Sequence, residues 1–213
     1  MSSVEGGNSL YILVEGMPGT GKTALTRVLS EQLSATYLKS LVSNTNYGLS
    51  LKELRSAEYN QELELLYISD LLLDELRVME TLKHGSVVRD KCYASSLAHL
   101  RAHGFENGTH LVQQTVLEAY KQLARMALVP DVAVFHVANL NKVRKHLNNK
   151  TDISAWDMTL AGDETKYRMQ AEALEAEFCC RYKNQLVRLD CFSATPDVMC
   201  RQILEQVSER SRP

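Results

Sequence analysis

Leu10-Tyr-Ile-Leu-Val14 is a short apolar run that ends in Glu15, and Gly16-Met17-Pro18-Gly19-Thr20-Gly21-Lys22-Thr23 follows it without a gap. Ala24 and the series Leu25, Val28, Leu29 and Leu33 come next, at the three- and four-residue spacing of one helix face. The octet has the required residue at every fixed position of Gly-x-x-x-x-Gly-Lys-Ser/Thr, and it sits between a strand and a helix, the context that motif needs. The glycines let the backbone curl so that successive N–H groups and the helix N-terminus face an anion, while a lysine neutralises the outer phosphate oxygens. Residues Gly16, Met17, Pro18, Gly19, Thr20, Gly21, Lys22, Thr23 and Ala24 are therefore expected to hold the triphosphate of a nucleotide, with Thr23 ligating Mg2+.

Outward from this loop, apolar runs alternate with helix-period segments. Thr36 to Val42, Ser86 to Arg89, Val132 to Val137 and Gln185 to Leu189 read as four further strands. Leu65, Ile68, Leu72, Leu76 and Met79 mark one face of a long helix, and Val112, Val116, Ala119, Leu123 and Met126 mark another that Pro130 stops. Strand-helix alternation of this kind builds a parallel sheet covered on both faces. Ligands in such sheets lie beyond the carboxyl ends of the strands. That directs attention to residues 15–23, 43–47, 90–96 and the chain after 138. The polar stretch from His146 to Thr165, with Trp156 and Gly162, lacks a clear apolar period and is expected to act as a lid, the lid region as a whole spanning about 142–165.

The 213 residues suit a single domain with one well-buried core. Apolar and charged shares of 45% and 23% are ordinary for globular chains, and the formal charge of −2 gives no field for gripping nucleic acid. No stretch has the purity of a membrane span. The five cysteines are odd in number and form no CxxC pair, so they read as reduced thiols. Residues 1–9 are polar and are expected to be a frayed tail in a cytoplasmic protein.

Several segments, in order, resemble the thymidylate kinase family and its relatives among nucleoside and nucleotide kinases. Val14-Glu15-Gly16 is similar to the strand-end Glu-Gly of that family. Gly85-Ser-Val-Val-Arg-Asp-Lys-Cys-Tyr-Ala-Ser-Ser-Leu-Ala98 is similar to its third strand followed by Asp-Arg-Tyr and Ser-Ser-Leu-Ala. Pro130-Asp131 resembles the opening of its fourth strand, Leu65 to Asp70 its apolar helix ending in Ala-Asp-Arg, and Lys142-Val-Arg-Lys145 the start of its basic lid. The resemblance implies a three-layer α/β/α P-loop kinase fold with a five-stranded parallel sheet and a helical lid. It also implies ATP and Mg2+ as cofactors and a homodimer through helices on one side of the sheet.

Phosphoryl transfer asks for positioning and charge neutralisation, which this chain can supply. Lys22 serves the phosphates; Asp90 either orients Mg2+ through water or accepts the proton of the attacking hydroxyl; Glu15 assists as a second acid or base; and Arg144, beside Lys145 and Lys150, closes over the γ-phosphate. The departures from the family all fall on the acceptor side. Pro18 replaces a loop carboxylate that contacts the sugar, residues 38–54 hold no arginine, Leu71 and Lys91 stand where phosphate-gripping arginines belong, and Leu100 replaces a base-reading glutamine. Lysine cannot reproduce the two-pronged grip of a guanidinium. The acceptor is therefore expected to be a hydroxyl of an unphosphorylated small molecule, such as a nucleoside, a sugar or an aminoglycoside-like natural product, met by Lys91, Asp70 and Glu62. A thymidylate-type monophosphate kinase and a non-catalytic ATP-binding regulator are the alternatives. A mechanical ATPase would need an acidic pair closing the fourth strand, which ends instead in His136-Val137-Ala138, and a GTPase switch would need an Asn-Lys-x-Asp motif that Asn141-Lys142-Val143-Arg144 does not complete.

Overall fold

The computed structural model describes residues 9–40, 50, 61–102, 111–137, 139–149, 155–190 and 192–210. Within them run β1 (Tyr11–Gly16), α1 (Lys22–Gln32), β2 (Thr36–Lys39), α2 (Gln61–Leu82), β3 (Val87–Asp90), α3 (Tyr93–Ala102), α4 (Leu111–Met126), β4 (Val132–Val137), α5 (Leu140–Asn148), α6 (Ala155–Gly162), α7 (Glu164–Arg181), β5 (Leu186–Asp190) and α8 (Pro196–Arg210). The five strands form one sheet in the order β2-β3-β1-β4-β5, every pair parallel. The expected fold class is therefore present: an α/β protein with a five-stranded parallel sheet between helical layers.

Strand alternation sorts the core into two halves. Tyr11 and Leu13 of β1, with Val87, Ala133 and Phe135, pack against Val78 of α2, Tyr93 and Leu97 of α3, Tyr120 of α4 and Leu174 and Phe178 of α7. Ile12 and Val14, with Val88, Val132 and Val134, face Leu25 and Leu29 of α1 and Met199, Cys200 and Ile203 of α8. Each fully buried Ile, Leu or Val contributes roughly 1.5–3 kcal/mol by leaving water. Continuous burial along β1 therefore anchors the phosphate loop to the middle of the sheet.

The leucine series on α2 corrects a simple reading of helix periodicity. Leu65, Leu76 and Met79 are exposed, Ile68 and Leu72 only half-buried, and the sheet-facing side instead carries Leu71, Val78, Asp74 and Glu75. Polar pairing sets this rotation: Glu75 accepts from Arg89 of β3, and Asp74 accepts from Ser40 after β2 and from Arg77. Buried carboxylates without these partners would be costly, so the charges choose which way the helix turns. The expected end of the second strand at Val42 and the frayed tail at residues 1–8 lie outside the described residues.

Candidate functional site

The phosphate loop has the backbone its glycines allow. Gly16, Gly19 and Gly21 have φ of 153°, 79° and 81°. A Cβ on Gly19 would come within 2.9 Å of Val143 Cγ1, and one on Gly16 within 2.8 Å of the Cβ and carbonyl oxygen of His136. Inside the curl, the Thr20 hydroxyl and the Lys22 ammonium both donate to the Met17 carbonyl, at 2.9 and 2.7 Å. Gly21 caps α1, whose first residues are Lys22 and Thr23, so the helix N-terminus opens into the curl.

β3 brings the second group. The Thr23 hydroxyl donates to Asp90 Oδ2 at 2.6 Å, and the Tyr37 phenol of β2 approaches the same oxygen at 3.5 Å. Burial, with the Asp90 carboxylate adding to it, pushes the Tyr37 phenol up to about 12. The other oxygen, Asp90 Oδ1, is buried and has no hydrogen-bond partner. An acceptor with lone pairs to spare beside a threonine hydroxyl at a helix N-terminus fits Mg2+, whose usual partners are phosphate oxygens, water and one or two protein oxygens. Thr23 and Asp90 would hold that ion, which neutralises phosphate charge during transfer. Among the described residues no set of three or more His, Cys, Asp or Glu side chains forms a metal cage of its own.

Glu15 is fully buried and its carboxylate is saturated. Oε1 accepts from the Gly16 N–H at 2.9 Å and the Ser95 hydroxyl at 2.7 Å, while Oε2 accepts from the Cys92 N–H at 3.0 Å with the Cys92 thiol at 3.6 Å. It ties the start of the loop to the start of α3. Between Asp90 and Cys92, Lys91 takes φ of 73°, and its N–H donates to the Val14 carbonyl at 3.0 Å. This left-handed turn, unusual for a residue with a Cβ, ends β3 and swings the chain toward Glu15.

β4 supplies His136, 1% exposed, whose Nδ1 lies 3.0 Å from the Thr20 carbonyl oxygen. Burial pushes its pKa down to about 4, the Lys22 charge adding to the fall and the Thr20 bond and Asp90 opposing it. Sequence reading used His136 only to exclude a mechanical ATPase. The available signal was a polar residue closing an apolar strand beside a glycine loop. Ser95 and Tyr37 were missed as well, the first inside a quoted motif and the second in a strand too short to show alternation.

Arg144 projects from α5 to the end of α6, donating to the Ala161 carbonyl at 2.7 Å and the Gly162 carbonyl at 3.5 Å, with Glu164 at 3.7 Å. It thus closes a helix C-terminus within the lid region. Val143 and Leu147, on the same helix, are buried against Gly19. Lys145 is exposed, and Lys150 and the side chain of Trp156 lie outside the described residues. On α2, Asp70 is 8% exposed, its Oδ2 has no hydrogen-bond partner, and burial, with Asp74 beside it, raises its pKa. The side chain of Glu62, in the first turn of α2, lies outside the described residues.

Solved structures carry the same architecture. A thymidylate kinase from Candida albicans superposes with a TM-score of 0.72 over 95% of this chain and 92% of its own, at 17% identity. A deoxyadenosine kinase from M. mycoides with bound dCTP gives 0.70 over 94% and 100%, at 12% identity. The fold is that of the thymidylate and deoxyadenosine kinases. A thymidylate kinase from Ehrlichia chaffeensis has it too, at 0.60, 15% identity, and 95% and 100% coverage. No protein-family model matches the sequence, and no curated protein matches it. In the thymidylate kinase-like fold of this chain, Lys22, Thr23, Asp90, Glu15 and His136 come together around the ends of β1, β3 and β4, while Arg144 is engaged between α5 and the end of α6. Among the described residues no helix is long and apolar enough to cross a membrane.

Proposed function

We propose that this chain is an ATP- and Mg2+-dependent kinase that moves the γ-phosphoryl group to a hydroxyl of an unphosphorylated small molecule. The observation that carries the reading is the Thr23–Asp90 bond beside the Lys22 loop, with Asp90 Oδ1 left buried and without a partner. In transfer, the acceptor oxygen bonds the γ-phosphorus, the bond to the ADP oxygen breaks, and the acceptor proton leaves. Lys22 moves from the Met17 carbonyl to the phosphates. Asp90 Oδ1 has the lone pairs to orient water or take that proton, whereas those of Glu15 are occupied. Glu15 then acts by holding the loop, and Arg144 reaches phosphate only if it leaves Ala161.

The acceptor class rests on the charges near the strand ends. α2 descends toward β3, so Asp70 stands one turn above Asp74, which is bonded to Ser40 at the end of β2. An unpartnered buried carboxylate there favours an acceptor bearing N–H or O–H donors. Among the described residues, Arg77 and Arg89 are tied to Asp74 and Glu75, while Arg27 of α1 lies near Tyr37 of β2. Lys91 and Asp70 are accordingly read as acceptor-binding, with Glu62 joining them. The neighbours span both acceptor classes, thymidylate kinases and a deoxyadenosine kinase, and the thymidylate alternative fits them as well. A homodimer through the outward apolar face of α2, with Leu65, Leu73, Leu76 and Met79, belongs to the same reading. Light scattering of wild type against a Leu73→Glu, Leu76→Glu variant tests it: a wild type that is already monomeric removes the dimer.

The deciding experiment incubates the protein with ATP, Mg2+ and, in parallel, nucleosides, monophosphates, sugars and aminoglycosides, then weighs the products. A gain of one phosphoryl group on an unphosphorylated acceptor, lost in Lys22→Ala, is expected. Turnover of thymidylate alone would replace the acceptor assignment, and ATP binding without any product would leave a regulator.

A further inference from the structure

His136 is a titratable group at the site that phosphoryl transfer does not call upon. It is buried to the same degree as the core leucines, it lies against the loop from below, and Nε2 has no partner. A carbonyl oxygen can only accept, so the 3.0 Å contact with Thr20 requires a hydrogen on Nδ1. The peptide bonds among the described residues are all trans, and in a trans peptide the C=O and the following N–H point in opposite directions. Pinning the Thr20 carbonyl back against β4 therefore turns the Gly21 N–H away from the sheet and into the curl where phosphate oxygens sit. A Cβ built on Gly21, at φ of 81°, would meet nothing within 4 Å, so on the Gly21 side no side-chain packing holds that plane; on the other side the buried Thr20 is held by its hydroxyl bond to Met17 and by His136. A Cβ on Gly16, by contrast, would meet the Cβ and carbonyl oxygen of His136 at 2.8 Å, so the histidine backbone also sets the floor of the loop.

We infer that His136 is a positioning residue for triphosphate binding: its Nδ1–H fixes the Thr20–Gly21 peptide plane and so presents the Gly21 N–H to the phosphates. The inference rests on the ATP-binding reading above. It makes a stereochemical demand that a packing role does not. The amide nitrogen of asparagine, like Nδ1 of histidine, is two bonds from Cβ and can make the same bond, whereas that of glutamine is one bond too far and leucine has no donor.

Affinities for ATP and for inorganic tripolyphosphate, measured by calorimetry well below the melting temperature of each protein, test this. His136→Asn should bind both within about twofold of wild type, and His136→Leu and His136→Gln should bind both about tenfold more weakly, as expected when a buried backbone acceptor loses its donor. Wild-type affinity in His136→Leu or His136→Gln would overturn the assignment, as would His136→Asn falling as far as His136→Leu. If Lys22→Ala binds ATP as tightly as wild type, the ATP-binding reading itself fails; loss in Lys22→Ala with no loss in His136→Leu removes only the role of the histidine.

Discussion

The Thr23 hydroxyl and Asp90 Oδ2 meet at 2.6 Å, joining the first turn of α1 to the last residue of β3. Two groups more than sixty residues apart thus share one proton beside the phosphate loop. Asp90→Asn keeps the shape but places an amide where the carboxylate oxygens were. Phosphorylated product should fall about a hundredfold or more, in the range for losing one pre-set electrostatic group, and the Mg2+ concentration for half activity should rise. An Asn variant with an unchanged magnesium curve would show that Asp90 serves only to hold the Thr23 side chain.

Glu15 should act on stability more than on chemistry. Its carboxylate accepts from Gly16, Ser95 and Cys92, and charge-assisted bonds of this kind contribute about 1.5–3 kcal/mol each. Glu15→Gln turns an amide toward donors on both sides. Urea unfolding should show a loss of about 2–4 kcal/mol; a variant as stable as wild type but inactive would instead make Glu15 the proton acceptor.

Acid should weaken the fold through His136. Its native pKa of about 4 lies below the ordinary 6.5, so between those values the unfolded chain binds a proton that the native state refuses. Stability is full above pH 6.5 and falls as the pH drops toward 4, by about 3 kcal/mol at most. Denaturant titrations across this window should be steeper for wild type than for His136→Asn, and parallel curves would count against a buried neutral ring.

Gly19 should not tolerate a side chain. It has φ of 79°, and its Cβ would meet Val143 and Leu147 of α5. Gly19→Ala is expected to cost about 1–3 kcal/mol in strain and to weaken ATP at least severalfold, since the displaced neighbour is the lid helix. Fluorescence titration with a nucleotide analogue measures the second effect.

Much of this was legible in the chain. The five strands were, because apolar runs with β-branched residues read the same wherever they pack, and the phosphate loop was, because its glycines and Lys22-Thr23 pair are local requirements. Asp90 could be found from its place after a strand. The rest depended on partners remote in sequence. Periodicity showed that Leu65, Leu76 and Met79 share a side of α2, but only Glu75 meeting Arg89 and Asp74 meeting Ser40 determine that this side looks outward. Arg144 carries the charge of a lid cation, yet the carbonyls at the end of α6 claim it. His136 looked like a missing acid until β4 was set beside β1, with Gly16 paired to it in register.

That register has a consequence for how the protein is made. Of the five strands β1 is synthesised first but takes the middle of the sheet, flanked by β3 and β4. The nucleotide motif is complete in sequence once Thr23 has left the ribosome, whereas Asp90 and His136, which give it form, emerge much later. During that interval a bare, largely apolar ribbon waits for both its neighbours, so a span of chain in need of shelter from aggregation is the same one that leads into the loop that will later grip the ligand.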